Sequence, residues 1–473
     1  MTALIATILF SIGIIGLFVL DRDHEARTSK ALWIPVVYLL CTGSRPVSMW
    51  LGYAQPFGVE GGIYSSPIDQ AVQLVLLALG LMVLIARGRK VGSPLRSSGP
   101  ILLFFSYAAL SILWSDFPSV TLKHWTKGVE DIVMVLVVLT DGDPVMAVKR
   151  LLTRAGFILI PLSLLLCRYY PRLGRIFTKG WLVEFVGVST QKNQLGMICM
   201  IFGLGSLWCF LRAYRDRESA ARSRHLLAHG VMLGIVVWLL LMCRSLTSSV
   251  CLVLAGTVMA LASRRSPEAK PARVHLLVAA AVCIALFPLF VAPSLVESFG
   301  RDATFSGRTA IWNRVPELVR NPWVGEGYET FLVGPRLLEL RKTFEDSFQE
   351  AHNGYLEVYL NLGWIGVSLF ALLLITGYQK VVAAFRRDPA VGSLSLAFFV
   401  AVVIYALTEA PFRMLMPTCF FLLWAIMGAS EAVQHEPSVE WEANSLSGRD
   451  PSWRSAAQDW EYTNESEIRI YPR

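Results

Sequence analysis

From residue 3 to residue 430 the chain is one apolar segment after another, and that succession limits the fold more than any other feature. The runs lie at approximately 3–20, 31–51, 68–86, 100–114, 125–140, 151–167, 192–211, 226–243, 245–262, 274–293, 355–378, 391–408 and 413–430. Apolar runs of about 18 residues or more read as transmembrane helices, because a helix in lipid satisfies its own backbone hydrogen bonds. The runs are continuous rather than alternating, which argues against a β-barrel. Only 16% of residues are charged and 54% are hydrophobic, whereas soluble domains carry roughly 25% charged residues. The expectation is an all-α, polytopic membrane protein with about 12–13 transmembrane helices and one large outer-face loop containing short helices.

The first run follows only Met1 and Thr2 and is followed by DRDHEARTSK. A signal peptide would carry basic residues before its apolar run and a small-residue cleavage site after it. A retained helix with its N-terminus outside is expected instead. Basic clusters then recur in alternate loops, at Arg87 to Lys90, Lys149-Arg150, Arg212 to Arg224, Arg264-Arg265 and Arg386-Arg387. The positive-inside rule names that side cytoplasmic. The net charge of +8 is accounted for by such loops and does not imply nucleic acid. From Glu431 the chain turns polar and acidic, which reads as a disordered cytoplasmic tail. The sequon Asn464-Glu465-Ser466 falls in it and reads as a chance match. The domain division is therefore 1–430 for the membrane domain, with its large loop at 294–354, and 431–473 for the tail. No internal repeat is visible, which counts against transporters built from repeated halves. The eight cysteines lie in or at the ends of apolar segments without a CxxC pair, although Cys167 and Cys243 both fall near the outer face, where a disulfide is open to them.

The polar interval from Phe305 to Gly366 interrupts this pattern. A loop of that size between spans is where function is sought first. Ser306 is a candidate N-cap, and Ile311, Trp312, Val315, Leu318 and Val319 form an apolar stripe at helical spacing that Pro316 would kink or end. Such a helix would lie on the membrane surface. His352 stands just before the next apolar run, at the water–membrane boundary, and imidazole is the side chain best suited to take a proton near neutral pH. Arg244 ends an apolar run and precedes the hydroxyl cluster Ser245 to Ser249. An ionisable residue there is either functional or snorkels to headgroups. Arg45, Glu409 and Arg413 are similar, weaker candidates. The short outer loop RYYPRLGRIFTKGW holds Arg168, Arg172, Arg175 and Lys179 on the side where translocation disfavours them. Either an anionic ligand or lipid headgroups explain that. Asp21-Arg22-Asp23 and Asp141-Gly142-Asp143 have the Asp-x-Asp form that holds a metal with a nucleotide-sugar, but both read as ordinary turns. With no carboxylate cluster of metal-ligand spacing evident on the outer face, no metal and no cofactor is expected.

Several motifs together resemble the O-antigen ligase and exopolysaccharide polymerase superfamily of bacterial envelope glycosyltransferases. They are Trp114-Ser115-Asp116-Phe117-Pro118, Thr190 to Gly196, Arg244-Ser245, Ser306-Gly307-Arg308 with Trp312, Asn321-Pro322-x-x-Gly325-x-Gly327, Ala351-His352-Asn353-x-Tyr355-Leu356 and Gly363-x-x-Gly366. The resemblance implies a multi-pass protein of the bacterial inner membrane whose active site faces the periplasm. It implies metal-independent, inverting transfer of glycan from a polyprenyl diphosphate. Membrane lipids and other polysaccharide assembly and export proteins are implied partners. Arg308 and Arg244 would stabilise the diphosphate, supported by Lys192, Asn193, Arg168, Arg172 and Arg175. His352 would take the proton of the attacking hydroxyl or orient it, with Glu326 or Glu350 as alternative bases. Trp312 or Trp323 would stack on a sugar or lipid face, and Asn353 and Tyr355 would contact substrate. Exopolysaccharide polymerisation is favoured slightly over ligation to a lipid or protein acceptor. A lipid-linked glycan transporter or a non-catalytic membrane subunit are the competing classes.

Overall fold

The computed structural model describes residues 2–22, 28–53, 66–177, 183–263, 271–290, 308–344, 348 and 350–434. Ser306, Lys179, the sequon and the chain beyond 434 lie outside the described residues. The described part is almost wholly helical. Its main elements are α1 (Ala3–Leu20), α2 (Trp33–Thr42), α3 (Pro67–Arg87), α4 (Gly99–Leu110), α5 (Pro118–Leu139), α6 (Pro144–Tyr169), α7 (Lys192–Arg215), α8 (Arg222–Cys243) and α9 (Leu246–Ala262). They continue with α10 (Pro271–Phe290), α11 (Arg308–Arg314), α12 (Pro335–Thr343), α13 (Gly354–Arg387), α14 (Pro389–Tyr405) and α15 (Pro417–Gln434). Each expected span recurs at least in part as a helix, although 31–51 is helical only over Trp33–Thr42 and then breaks before a single turn at Val47–Trp50. Among the described residues six helices are long and apolar enough to cross a membrane, seven if the pair Arg89–Arg96 and Gly99–Leu113, bent by 86°, is one span. Five shorter apolar helices join them.

Local chemistry sets the boundaries. Pro occupies the first turn of α3, α5, α6 and α14, where its missing N–H is not needed. Ser66, Asp143, Asn353 and Asp388 accept backbone N–H groups at the starts of α3, α6, α13 and α14. Asp143 is therefore a helix cap, and Asp141 is ion-paired to Arg87 at 3.1 Å, so this Asp-x-Asp is structural. Asp23 lies outside the described residues. The centre of the bundle is α7, α14 and α15 with the second half of α5, buried almost continuously. By contrast α1 and α3 expose most of their apolar residues, as lipid-facing helices do. Cys167 and Cys243 are buried free thiols.

Hydrogen bonds sort the loops into two ends. At one end Arg87 meets Asp141, Ser29 donates to Asp141, Arg150 donates to Thr28, and His225 meets Asp21. At the other end lie Arg45, the 170–190 loop, Arg244, the polar loop and residues 406–413. The short Arg-rich loop is not purely irregular. After a single helical turn it forms an antiparallel pair, β1 (Arg175–Phe177) and β2 (Val183–Phe185). Arg45 fastens it, donating to the carbonyls of Leu173, Gly187, Val188 and Ser189.

The polar loop docks on a break in α13. At Gly363 the backbone turns left-handed (φ 63°), and a Cβ there would lie 2.3 Å from the Trp323 carbonyl carbon, so only glycine fits. The helical hydrogen bonds interrupted there are replaced. Trp364 and Ile365 donate to Pro322 and Trp323, while Glu326 and Gly327 donate to Leu360 and Asn361. The motifs at 321–327 and 363–366 are thus two halves of one clip. The segment 114–118 locks it: Trp114 donates to Val324, Ser115 meets Thr330, and Asp116 pairs with Arg320 and Arg336 at 2.6 and 2.9 Å. Both arginines also reach the buried carboxylate of Glu326. The loop has a core of its own, with Ile311, Val315, Phe331, Leu337, Leu340 and Phe348. The stripe read as a membrane-surface face is turned into that core instead.

Candidate active site

His352 ends the polar loop, in left-handed backbone (φ 52°) directly before the Asn353 cap of α13. Its neighbours hold it there. Trp312 Nε1 donates to Ala351 O at 2.9 Å, and Ala351 N donates to Glu357 Oε1 at 2.9 Å. Nδ1 lies 3.0 Å from Glu350 Oε1 and 3.3 Å from Glu409 Oε2. Both are acceptors, so Nδ1 carries a proton and Nε2 is the nitrogen left for other chemistry. Burial works against the charged ring, but the hydrogen bonds it donates to the two carboxylates prevail and raise its pKa to about 9. Burial likewise disfavours the Glu350 carboxylate, but the hydrogen bond and charge of His352 and the charge of Arg413 overcome it and hold its pKa below the ordinary carboxylate range.

Arg308 begins α11 and closes the cluster from the other side. Its guanidinium donates to Thr408 O at 2.6 Å and to Glu409 Oε1 at 2.8 Å. Asn193, in the first turn of α7, donates to the same Glu409 oxygen at 3.0 Å. Beside it Lys192 pairs with Glu184 of β2. Arg244 is exposed at the C-cap of α8, again in left-handed backbone (φ 52°). Its hydroxyl-rich neighbours pack inwards: Ser245 lies against Gly196, and Thr247 meets Thr408 at 2.9 Å. Left-handed backbone is uncommon for residues with a Cβ and gathers at functional sites. Among the described residues it occurs at four such positions, and Arg244, Glu329 and His352 are three of them.

Beneath His352 lies a second layer. Arg413 Nε is 3.4 Å from Glu329, and the same guanidinium is 3.8 Å from both Glu350 and Glu357. Burial pushes the Glu329 carboxyl up, and Arg413 opposes that. A cavity of about 40 Å³ opens here, lined by Tyr328, Glu329, Glu357, Phe412 and Arg413 among others. At about 10–15 Å³ per water it holds a few waters and no sugar ring.

Other candidates are engaged structurally. Asn353 caps α13, and the Tyr355 hydroxyl donates to Val403 O at 2.9 Å. Arg175 donates to Cys167 O and stacks on Phe185, whereas Arg168 and Arg172 are exposed. Trp312 is tied to Ala351, while Trp323 is exposed. Glu326 is enclosed by Arg320 and Arg336. The sequence alone gave too little weight to Glu409 and Arg413. Their signal was an acid and a base four residues apart around Pro411, between two apolar runs.

The premise that the outer face lacks a metal-ligand cluster needs correction. Glu350, His352 and Glu409 bring three ligand atoms within 4.8 Å of one another. A separation of 57 residues between His352 and Glu409 hid this. Arg308 and Arg413 already compensate those carboxylates.

Residues 185–371 match the O-antigen ligase family. That interval contains Lys192, Asn193, Arg244, Arg308 and His352, and stops short of Glu409 and Arg413. The chain is also 26% identical over 347 residues to the exopolysaccharide production protein ExoQ of Rhizobium meliloti, spanning 69% of this chain and 75% of that protein. Both findings support a place in the O-antigen ligase and polymerase superfamily. Its function is accordingly of the O-antigen ligase or polymerase type, in a multi-pass membrane protein. Asn193, Arg308 and His352 of the O-antigen ligase region meet Glu409 at one end of the bundle, and Glu409 and Arg413 come from the α14–α15 connection outside that region.

Proposed function

We propose that this O-antigen ligase homologue polymerises exopolysaccharide repeat units at the periplasmic face of the bacterial inner membrane. The donor is a glycan on a polyprenyl diphosphate. The acceptor is a sugar hydroxyl of the next lipid-linked unit. The observation that carries the reading is the Arg308–Glu409–His352–Glu350 cluster at the membrane end of the polar loop. The acceptor oxygen attacks the anomeric carbon as the bond to the diphosphate oxygen breaks, so the anomeric configuration inverts. The electron pair leaves on the diphosphate. Arg308 and Arg244 stabilise that growing charge, and guanidinium matches phosphate with two parallel hydrogen bonds. His352 Nε2 takes the acceptor proton, with Glu350 and Glu409 holding the ring through Nδ1. No metal takes part, since the carboxylates that could hold one are engaged by Arg308, Arg413 and His352.

The orientation rests on the basic loops Arg87 to Lys90, Lys149-Arg150 and Arg212 to Arg224, which the positive-inside rule keeps in the cytoplasm. The relation to an exopolysaccharide production protein favours polymerisation over ligation. Purified protein with a lipid-linked repeat unit tests the proposal. Polymerisation yields longer lipid-linked chains and free polyprenyl diphosphate. Release of diphosphate only when a separate lipid or protein acceptor is added would assign ligation, and no release with either would remove the enzymatic reading.

A further inference from the structure

At the end of the bundle opposite His352, α1 and α8 meet through three side chains that the transfer chemistry does not use. Asp21 follows the last turn of α1. His225 and His229 stand four residues apart in the first turns of α8 and so share one face. One oxygen, Asp21 Oδ1, lies 2.8 Å from His225 Nδ1 and 3.1 Å from His229 Nε2. The three ligand atoms lie within 4.8 Å of one another. His229 is buried, and the other two side chains nearly so. We propose that Asp21, His225 and His229 bind one divalent transition-metal ion, zinc by preference, and that this ion pins α1 to α8.

The geometry suits such an ion. With metal–nitrogen and metal–oxygen distances of about 2.0–2.2 Å, tetrahedral ligands lie about 3.3 Å apart. Side-chain shifts of about half an ångström or less bring the two Asp21–histidine separations to that value, and the two histidine nitrogens already lie within 4.8 Å of each other. Two imidazoles and one carboxylate leave a fourth position for water. The donor set also selects the metal. Imidazole favours zinc, copper and nickel, while magnesium and calcium require oxygen cages. Lys149 acts on Asp21 as a nearby positive charge, which disfavours ions held by charge alone. One orphan group is explained as well. His229 Nδ1 is buried without a hydrogen bond. Metal at Nε2 would place the ring proton on Nδ1, on a ring whose neighbour is the Cys209 thiol, a weak acceptor.

The fold gives the ion a task. Of the residues of α1 only Ala6 and Leu17 are buried. At its start Thr7 meets Tyr170 at 2.7 Å, and at its end the Asp21 cluster is the polar tie. A coordinate bond there would hold a helix that packing alone holds lightly. His229 is about 22 Å from Arg244 along α8, at 1.5 Å per residue, so the ion is remote from transfer.

The test uses the full-length protein in detergent, stripped of metal by dialysis against chelating resin. Zinc or cobalt is added, and bound metal is counted by mass spectrometry of the desalted protein. One zinc per chain and a higher Tm are expected, with Co2+ giving the absorption bands of a tetrahedral site. His225→Gln and His229→Gln should each weaken zinc at least about 100-fold. His225→Cys should keep the stoichiometry and add a sulfur-to-cobalt charge-transfer band, which a merely misfolded variant would not show. No stoichiometric metal on the wild type overturns the proposal. So does zinc binding that survives both glutamine substitutions, which would place the ion on Glu350, His352 and Glu409 instead.

Discussion

Replacing Glu350 with glutamine should move the ionisation of His352 and, with it, the pH dependence of turnover. In the folded protein His352 has a pKa of about 9 against an ordinary 6.5. That gap corresponds to about 3 kcal/mol favouring the imidazolium. At pH 7 roughly one molecule in a hundred then has Nε2 free to accept a proton. If His352 is the base, kcat/KM in the wild type climbs with pH and levels near 9. Glu350 makes the shorter of the two carboxylate contacts, 3.0 against 3.3 Å. Its removal should therefore recover more than half of the gap and bring the plateau to roughly pH 7.5. At pH 7 the free-base fraction rises by about tenfold or more, offset by a weaker base, while at pH 9.5 the variant is slower than the wild type. The curves cross. The assay is initial rate of chain extension on a lipid-linked repeat unit from pH 6 to 10, with His352→Gln expected to lack the rising limb. A wild-type profile without that limb, or a limb at the same pH in Glu350→Gln, would refute the base assignment. The same ion pairing sets a stability trend. Because the folded pKa is raised, its contribution is complete below pH 6.5 and is lost as pH rises through about 9, so Tm should fall across that window in the wild type and less in His352→Gln.

Arg308→Ala and Arg244→Ala should each lower kcat by about 10²–10³, with lysine restoring only part, since a point charge lacks the planar fork; near-normal rates in both would move the diphosphate to the Arg168 and Arg172 region. Glu326→Gln should destabilise the polar loop by about 3 kcal/mol by breaking a buried ion pair, read as earlier proteolysis of the loop rather than a change in KM. Transfer should continue in EDTA in both the wild type and His225→Gln, whereas the wild-type Tm falls on chelation; loss of transfer restored by magnesium would contradict a metal-independent reaction. An impermeant thiol reagent on intact cells should label Trp323→Cys, which is exposed, and should reach Ala220→Cys only after the membrane is breached, in a background lacking exposed Cys283.

The helices were legible because apolar length is a strong signal and because Pro, Ser, Asp and Asn mark where runs begin. The helix α5 shows the limit. Lys123, Lys127, Glu130 and Asp131 dilute its hydropathy, yet its second half is buried throughout, with Asp131 accepting from Tyr38 at 2.5 Å. His352, Arg308 and Asn193 could be chosen from local context. Their meeting point, Glu409, could not, because it lies 216 residues from Asn193 and 101 from Arg308, and a single sequence carries no signal of such a contact. The motifs at 114–118, 321–327 and 363–366 were visible as unusual composition, but their purpose was not. A glycine needed for close backbone approach reads in sequence like a glycine needed for a flexible turn.

The clip at Gly363 bears on how such enzymes can be recombined. A polar loop between two helices invites transplantation as a cassette, cut at its two ends. Here that cut would fail. The graftable unit is discontinuous: the loop from Arg308 must travel with the first turns of α13 through Gly366 and with the distant strip Trp114 to Pro118. A chimera that carries all three should inherit the donor enzyme's choice of glycan intact. One that carries the loop alone would leave carbonyls at the helix break facing the wrong backbone, and would be cleared by the cell before its specificity could be read.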